Sequence, residues 1–240
     1  MPRLEREWPW RVRRSPRLVD GGYLLLGEIA RTLKEARDRY LAPPVRILDI
    51  GCGEMPYYPL FAEAASEYVG ADLEPGRGIR YVGPVEDLDV GDDRFDLVLL
   101  TQVLEHVRRP QRALATAAAS LHEGGYAFVT THGVYPFHPY PTDYWRWTQQ
   151  GFEALVEDVP ELELVELVPH RGTAACLALL MATYVEMAAT RLRVPAAGWP
   201  IVAALNLAGI AGDRLSPRLR YPSPQTLIAN FLLVLRRRAT

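Results

Sequence analysis

Short apolar runs alternate with amphipathic stretches along most of the chain. The runs are rich in Val, Ile and Leu and end at turn-forming residues, which is typical of strands buried on both faces of a sheet. They predict strands at 45–50, 68–72, 79–82, 95–100, 125–131, 162–168 and 227–235. Apolar positions spaced three and four apart predict helices at 23–41, 57–66, 110–122 and 148–158. This alternation predicts a doubly wound α/β fold with a mostly parallel sheet and helices on both of its faces.

The same pattern predicts how the chain is organised. It indicates an N-terminal leader and amphipathic helix over 1–44, a core over 45–171, an apolar helical insertion over 172–224, and a last core strand with a basic tail over 225–240. The leader contains Trp8, Trp10 and several arginines but no apolar core, so it is not expected to be a secretion signal. We expect it to be poorly ordered or to pack on the protein surface; the alternative is an interfacial membrane anchor.

The insertion contains two long apolar stretches. Ala174–Ala189 is broken only by Glu186, and Ile201–Ile210 only by Asn206. Neither stretch reaches the ~20 uninterrupted apolar residues of a membrane-spanning helix. We therefore expect two buried helices that form a lid or a homodimer face, with peripheral contact to a membrane surface as the alternative.

Composition narrows the class of protein. The 240 residues have a net charge of −2, so the chain has no general attraction for nucleic acid, and no nucleic-acid partner is expected. The two cysteines, Cys52 and Cys176, lie far apart and form no ligand pattern. A reducing, cytoplasmic location is therefore predicted, with membrane association as the alternative.

The turn after the first predicted strand carries the most specific chemistry. Gly51-Cys52-Gly53 follows the apolar run 45–50, and two glycines allow the backbone to approach a ligand closely. Asp72 ends the next strand, where a carboxylate would hold the hydroxyls of a ribose in a doubly wound nucleotide fold. These residues together predict a cofactor that contains adenosine.

The loop argues against a dinucleotide. Pro56 stands where the third glycine of G-x-G-x-x-G is needed, and Glu54 would bring negative charge close to a pyrophosphate. A cationic ligand without phosphates, such as the sulfonium of S-adenosylmethionine, suits an acidic loop better. Asp49 and Glu54 are both available to such a ligand or to hydrogen bonds within the loop.

Residues 45–131 resemble class I S-adenosylmethionine-dependent methyltransferases, of the type 11-like group. The resemblance rests on an ordered series of motifs: ILDIGCG (47–53), VGADLEPG (69–76), GPVEDLDV (83–90), FDLVLLTQVLEHV (95–107) and LHEGGYAFVTT (121–131). It implies a Rossmann-like sheet of seven strands with one antiparallel member, and a helical insertion before the last strand. It also implies S-adenosylmethionine as the cofactor.

The resemblance also implies which residues bind that cofactor. The glycine loop would hold the methionine part, Asp72 the ribose, the segment 83–88 the adenine, and the segment 101–106 would close the methionine end. The residues implied are Asp49, Gly51, Cys52, Gly53, Asp72, Leu73, Val85, Glu86, Thr101 and Gln102. Many relatives carry an Asp where Pro84 stands, so here the adenine contact must come from Glu86, Asp87 or the backbone.

The loop after the fifth core strand, 131–148, is dense in His, aromatic residues and Pro, and should face the transferring methyl. His132 is the first candidate for the base that removes a hydroxyl proton, and His138 is the second. Asp143 could orient either histidine, and Asp143 and Arg146 could pair or bind acceptor hydroxyls and anions. His106 is expected to pack or to cap. No metal site is predicted, because His132, His138 and Asp143 show no recognisable ligand spacing.

The run PTDYWRWT (141–148) resembles bacterial methyltransferases associated with surface-glycan assembly. It implies methyl transfer to a hydroxyl of a glycan or of a lipid-linked glycan intermediate. Two alternatives stay open at this point. One is a small-molecule methyltransferase acting on a quinone-like or polyketide-like acceptor, and the other is a non-catalytic binding module that keeps the fold.

Overall fold

The strands form one sheet in which the order in space differs from the order in the chain. A computed structural model describes residues 8–216 and 223–239. The sheet has seven strands in the order β3-β2-β1-β4-β5-β7-β6. They are β1 (Val45–Ile50), β2 (Ala65–Asp72), β3 (Ile79–Val82), β4 (Phe95–Thr101), β5 (Leu121–His132), β6 (Leu162–Pro169) and β7 (Asn230–Arg237).

Strands β1 to β5 are parallel to one another, whereas β7 runs antiparallel between β5 and β6. The predicted fold class, a mostly parallel seven-stranded sheet with one antiparallel member, is therefore confirmed. The order reverses between β1 and β4, since β2 and β3 lie on one side of β1 and β4 and β5 on the other. Ligands of open α/β sheets bind beyond the carboxyl ends of the strands at such a reversal.

Helices cover both faces of the sheet. They are α1 (Tyr23–Tyr40), α2 (Tyr58–Phe61), α3 (Pro110–Ser120), α4 (Gln149–Glu157), α5 (Thr173–Arg191) and α6 (Pro195–Leu215). One core cluster joins α1, α2 and α5 to one face, and a second joins α3 and α4 to the other. Neighbouring residues of one strand enter opposite clusters: Ile47 belongs to the first and Leu48 to the second. This explains why the strands are continuous apolar runs, since both of their faces are buried.

The predicted helix at 57–66 is wrong in extent. Only the single turn Tyr58–Phe61 is helical, and β2 begins at Ala65 instead of at 68. Pro59 lies at the start of this turn, and the apolar side chains of Leu60 and Phe61 are buried. The early start of β2 is stabilised by Glu67, which pairs with Arg46 in register and accepts a 2.8 Å hydrogen bond from its guanidinium.

Other element ends differ by a few residues. β5 runs over Leu121–His132 because Leu121 already pairs with Phe95 ahead of an irregularity in the ladder. The helix predicted at 110–122 consequently ends at Ser120. β7 covers Asn230–Arg237 instead of 227–235, since its last residues pair with β5 and β6.

The insertion forms a hairpin of two helices that are longer than expected. α5 has 19 residues and α6 has 21, and by length and composition alone both are long and apolar enough to cross a membrane, contrary to the expectation that neither would be. Only 28% and 22% of their most apolar stretches are buried, whereas two buried helices were expected from the sequence. Residues 217–222 of the predicted insertion lie outside the described part of the chain.

The two polar residues within the apolar stretches attach this hairpin to the leader. The Asn206 amide donates hydrogen bonds to the carbonyls of Leu18 and Asp20, at 2.8 and 3.1 Å. The Glu186 carboxylate accepts a 3.1 Å hydrogen bond from the Gly21 N–H. The segment before α1 is therefore fixed against the hairpin, close to the carboxyl end of the sheet.

Candidate active site

A cavity of about 930 Å³ opens at the carboxyl ends of β1, β2, β4 and β5. The ten residues expected to bind the cofactor all line it: Asp49, Gly51, Cys52, Gly53, Asp72, Leu73, Val85, Glu86, Thr101 and Gln102. His132 and His138 line it as well, whereas Asp143 and Arg146 do not. The fold therefore brings the predicted cofactor residues and the two candidate bases to the same cavity.

The glycine loop turns sharply after β1. Gly51 and Gly53 both have positive φ, at 67° and 51°, which only glycine adopts readily. The N–H groups of Gly51 and Cys52 donate to the Ala71 carbonyl, at 2.8 and 3.3 Å. A Cβ on Gly51 would lie 2.6 Å from a methyl group of Val103. Glycine is required here for the turn and for the close approach of the loop after β4.

Asp72 lies at the tip of β2, as predicted, and its carboxylate is held by two backbone groups. It accepts hydrogen bonds from the N–H of Gly53 at 2.6 Å and from the N–H of Leu73 at 2.7 Å. These bonds fix the carboxylate against the glycine loop and in the wall of the cavity. Each carboxylate oxygen can accept a second hydrogen bond, so a diol can bind the same oxygens.

The part of the cavity that is expected to receive adenine is lined by Pro84, Val85 and Glu86. The Glu86 carboxylate already accepts a 2.8 Å hydrogen bond from the Arg109 N–H. Asp87 pairs with Arg112 and is not among the residues that line the cavity. Of the side chains suggested to replace the absent Asp at position 84, only Glu86 is therefore in place.

Asp49 is a buried acid at the base of the glycine loop. Its carboxylate accepts a 2.7 Å hydrogen bond from the Tyr68 hydroxyl and is only 2% exposed. Burial raises its pKa from 3.8 to about 7, and the Asp72 charge adds to this. Among the described residues, no cation forms an ion pair with it. A cationic group that enters the cavity would offset the free-energy cost of burying the ionised Asp49 carboxylate.

The floor of the cavity after β4 is formed by Thr101 and Gln102. Gln102 has a positive φ of 59°, and its N–H donates to the Thr130 carbonyl at 2.8 Å. Its side-chain amide donates to the Thr130 hydroxyl and accepts a 3.2 Å hydrogen bond from the Asn230 amide. This chain of bonds joins the ends of β4, β5 and β7.

The leader forms one wall of the cavity, which the sequence reasoning did not anticipate. Trp10, Val12 and Arg13 line it. The Trp8 indole N–H donates a 2.8 Å hydrogen bond to the Met55 carbonyl, and its ring lies under the Arg77 guanidinium at 4.7 Å. The described part of the leader is thus packed on the surface, which agrees with the first of its two expected states. The signal was its pair of tryptophans.

His132, the first candidate base, is the last residue of β5 and is only 2% exposed. Its ring stacks on Tyr135 with centroids 4.0 Å apart. Nδ1 lies 3.2 Å from the Asn230 amide nitrogen, and Nε2 lies 3.3 Å from a carboxylate oxygen of Glu105. Burial lowers its pKa well below 6.5, so the ring is neutral near pH 7. Both ring nitrogens already face a protein group.

Glu105 and Asn230 are the site residues that sequence reasoning missed. Glu105 is completely buried, and its Oε2 accepts a 2.8 Å hydrogen bond from the Thr131 hydroxyl. Burial raises its pKa from 4.5 to about 7. An acid directly after an apolar strand was the available signal for Glu105. For Asn230 it was a single amide within the otherwise apolar run 227–235.

His138, the second candidate base, is part-buried and is positioned by Asp143. The Asp143 carboxylate accepts a 3.0 Å hydrogen bond from the backbone N–H of His138 and lies 3.8 Å from the ring nitrogen Nδ1 of the same residue. Burial lowers the pKa of His138, while the Arg146 hydrogen bonds lower the pKa of Asp143. His138 is thus a neutral imidazole in the cavity wall.

Arg146 organises the loop instead of facing the cavity. It contacts both Asp143 oxygens, at 2.5 and 2.8 Å, and donates to the carbonyls of Tyr135 and Pro136. His106 also holds this loop, since its carbonyl accepts a 2.6 Å hydrogen bond from the Thr142 hydroxyl. The pairing of Asp143 with Arg146 is one of the two arrangements expected from the sequence.

Curated proteins of similar sequence include methyltransferases of ubiquinone biosynthesis. The chain is 34% identical over 113 residues to a ubiquinone biosynthesis O-methyltransferase of Cereibacter sphaeroides, covering 39% of this chain and 46% of that protein. It is 31% identical over 101 residues to the protein of the same name from Bordetella avium, covering 36% and 42%. The chain thus spans about half the length of the curated relatives it matches.

Solved structures show the same fold at low sequence identity. The 1,6-didemethyltoxoflavin-N1-methyltransferase of Burkholderia thailandensis has a TM-score of 0.56 at 16% identity, covering 89% of this chain and 79% of that one. The [4+2]-cyclase SpnF has a TM-score of 0.58 at 18% identity, covering 88% and 82%. Since a cyclase shares the fold, the fold alone does not establish the reaction.

The family itself is shown by a sequence profile. The profile of a methyltransferase domain matches residues 20–171, which span the leader-proximal helix α1 and the strands β1 to β6. This match agrees with the cofactor predicted from the sequence, S-adenosylmethionine. The chain belongs to the methyltransferase domain family.

Proposed function

We propose that the protein is an S-adenosylmethionine-dependent O-methyltransferase whose acceptor is a hydroxyl of a small molecule. The observation that carries the proposal is the shared cavity, which contains the complete set of predicted cofactor residues at one end and His132 and His138 at the other. A donor and an acceptor bound in this cavity would be adjacent. Holding two reactants in line can lower a reaction barrier by about 7–11 kcal/mol.

The residues present fit the cofactor. Asp72 would hold the ribose hydroxyls, and the exposed backbone of Gly51 and Gly53 would lie against the methionine part. Asp49, a buried acid without a paired cation in the described residues, suits a cationic ligand. S-adenosylmethionine supplies a methyl group on a positively charged sulfur, so the protein must mainly position the acceptor and exclude water.

The acceptor hydroxyl must also lose a proton. In the absence of any bound ion, His138 is the group placed to take it, because its imidazole lines the cavity and is neutral near pH 7. Asp143 holds the His138 backbone at 3.0 Å and favours the protonated ring that results. His132 is less suitable as the base because both of its nitrogens face Asn230 and Glu105.

Part of the cavity wall is apolar, which favours a small apolar molecule with a hydroxyl as the acceptor. Leu25, Leu26, Val12 and Val107 line the cavity. The curated relatives are named for O-methyl transfer in ubiquinone biosynthesis, which supports the small-molecule alternative from the sequence.

A glycan hydroxyl is the second candidate acceptor. It is favoured by exposed aromatic side chains on the loop after β5, since aromatic faces stack on sugar rings. Tyr140 is 83% exposed and Tyr144 is 51% exposed, and both line the mouth of the cavity.

The outer face of the α5–α6 hairpin supports two further proposals on partners, a homodimer and peripheral membrane contact. Its exposed apolar side chains include Met181, Tyr184, Trp199 and Leu207. Sedimentation of the full chain, and its flotation with anionic lipid vesicles, separate the two. A monomer that stays off the vesicles would exclude both, and the predicted cytoplasmic location stays a prediction.

Titration calorimetry with S-adenosylmethionine, followed by transfer of a labelled methyl group, tests the function. We expect binding by the wild-type chain and transfer to hydroxylated aromatic compounds in preference to glycans. A folded sample that does not bind the cofactor would overturn the proposal. Binding without transfer to any acceptor would favour the non-catalytic module.

A further inference from the structure

Three side chains from separate segments of the chain meet at the acceptor end of the cavity. Glu105 follows β4, His132 ends β5, and His138 lies in the loop beyond it. One ligand atom from each, a carboxylate oxygen or an imidazole nitrogen, lies within 4.8 Å of the other two. The spacing of these three residues in the sequence matches no metal-binding motif, which is why the sequence predicts no metal site.

Two buried polar atoms of this group have no hydrogen-bond partner among the described residues. Glu105 is 0% exposed, yet its Oε1 has no hydrogen-bond partner among the described residues. The buried Nδ1 of His138 has none either. Buried polar atoms are nearly always paired in folded proteins, since leaving one unpaired costs about 1–3 kcal/mol. The carboxylate oxygen of Glu105 that faces His132 therefore has lone pairs available to a bound cation.

The separation between Glu105 and His132 fits a metal ion. Oε1 of Glu105 lies 3.3 Å from Nε2 of His132. Two ligand atoms that each lie ~2.1 Å from an ion, about 100–110° apart, are separated by roughly 3.2–3.4 Å. The other oxygen of Glu105 is held by the Thr131 hydroxyl at 2.8 Å, as is common for ligands oriented by a surrounding hydrogen bond.

Asn230 orients the second ligand. Its amide contacts Nδ1 of His132 at 3.2 Å, and its own Oδ1 is unpaired. A half-turn of the Asn230 amide would present Oδ1 to the Nδ1 proton that His132 must carry when Nε2 binds an ion. A matching half-turn of the Gln102 amide would keep its hydrogen bonds to Asn230 and to the Thr130 hydroxyl. Hydrogen bonding of the second ring nitrogen is usual for metal-binding histidines.

We propose that Glu105, His132 and His138 bind a divalent first-row transition-metal ion, of the kind that two imidazoles and one carboxylate favour. Because His132 and His138 line the cavity, the open coordination positions face the acceptor. This inference rests on the proposed function and specifies how the acceptor end acts. The ion binds the acceptor oxygen, the hydroxyl proton passes to solvent, and His138 serves as a ligand.

Cobalt titration of the untagged chain, stripped with a chelator, tests the site. We expect one Co²⁺ per chain with a visible absorption band, displaced by Zn²⁺. Glu105→Gln and His138→Ala should each weaken Co²⁺ binding by more than ~100-fold, since they remove a direct ligand. His122→Ala is the matched control, because His122 is exposed and outside the cluster, and it should bind Co²⁺ like the wild type.

Three results would overturn the inference: no stoichiometric Co²⁺ binding, undiminished binding in both ligand variants, or loss of binding in His122→Ala. Binding of S-adenosylmethionine to the same stripped samples separates this inference from the proposed function and shows that the variants are folded. Full methyl transfer by the stripped chain would overturn the metal site and leave the proposed function intact. Co²⁺ binding by a chain that does not bind the cofactor would overturn the proposed function and leave the metal site intact.

Discussion

The two ends of the cavity are built in different ways. At the cofactor end, backbone and side chains come from neighbouring stretches, as with the glycine loop and Asp72, which are joined by one 2.6 Å hydrogen bond. At the acceptor end, side chains come from the ends of β4, β5 and β7, as with Glu105, His132 and Asn230. The cofactor end is a local sequence motif, whereas the acceptor end is assembled from strands that are distant in sequence. Substitutions should therefore change cofactor binding and methyl transfer separately.

The largest expected effect is on turnover. In the chain without a bound ion, His138→Ala should lower the rate of methyl transfer by roughly 10²–10⁴-fold, the usual contribution of a positioned acid–base group. Its affinity for S-adenosylmethionine should not change, because His138 lies beyond the residues that would hold the cofactor. Single-turnover kinetics together with calorimetry measure both quantities. An unchanged rate would remove His138 from the reaction, and a parallel loss of cofactor affinity would contradict the separation of the two ends.

The reverse pattern is expected at the other end. Asp72→Ala should weaken cofactor binding by about 100-fold or more, since each hydrogen bond to a charged group contributes about 1.5–3 kcal/mol. Asp72→Asn is the matched variant, because its amide oxygen can still accept one of the two backbone hydrogen bonds. Calorimetry should rank the wild type above Asn and Asn above Ala. Equal affinity in all three proteins would exclude Asp72 as the ribose ligand.

The same contrast explains what could be predicted from the sequence. The cofactor end was predictable because Gly51, Gly53 and Asp72 follow two strands that are directly recognisable as apolar runs. Glu105 and Asn230 were not, because Glu105 meets Thr131 and His132 only when β5 lies beside β4, and Asn230 reaches His132 only when β7 inserts antiparallel beside β5. The wrong helix at 57–66 has a similar cause: pairing of Glu67 with β1 outweighed the local helical pattern.

A smaller effect, on stability, tests the close packing of the glycine loop. Gly51→Ala should lower the free energy of unfolding by about 2–4 kcal/mol, through left-handed backbone strain and the clash with Val103. Gly91→Ala is the matched control, since Gly91 has a φ of 59° and no atom within 4 Å of an added Cβ. It should cost only about 1–2 kcal/mol, the strain alone. Equal losses in urea denaturation would show that the approach of Val103 does not constrain the loop.

The smallest effect depends on pH and isolates the buried acid of the cofactor end. The pKa of Asp49 is 3.8 when unfolded and about 7 when folded, because burial disfavours the carboxylate. The folded state therefore binds more protons between these values, and the wild type loses stability as pH rises from about 4 to 7. Asp49→Asn removes this cost while its oxygen can still accept the Tyr68 hydrogen bond.

Without cofactor, Asp49→Asn should be more stable than the wild type by about 1–3 kcal/mol at pH 8, and the difference should vanish near pH 4. Denaturant titrations across this range measure it, and calorimetry at pH 8 should show weaker cofactor binding by the variant. If the variant gains stability but keeps full affinity for the cofactor, the Asp49 carboxylate lowers stability without contributing to cofactor binding. If stability rises and cofactor affinity falls, the Asp49 carboxylate lowers the stability of the free protein but binds the cationic cofactor. The cofactor end would then be built for binding at the expense of stability.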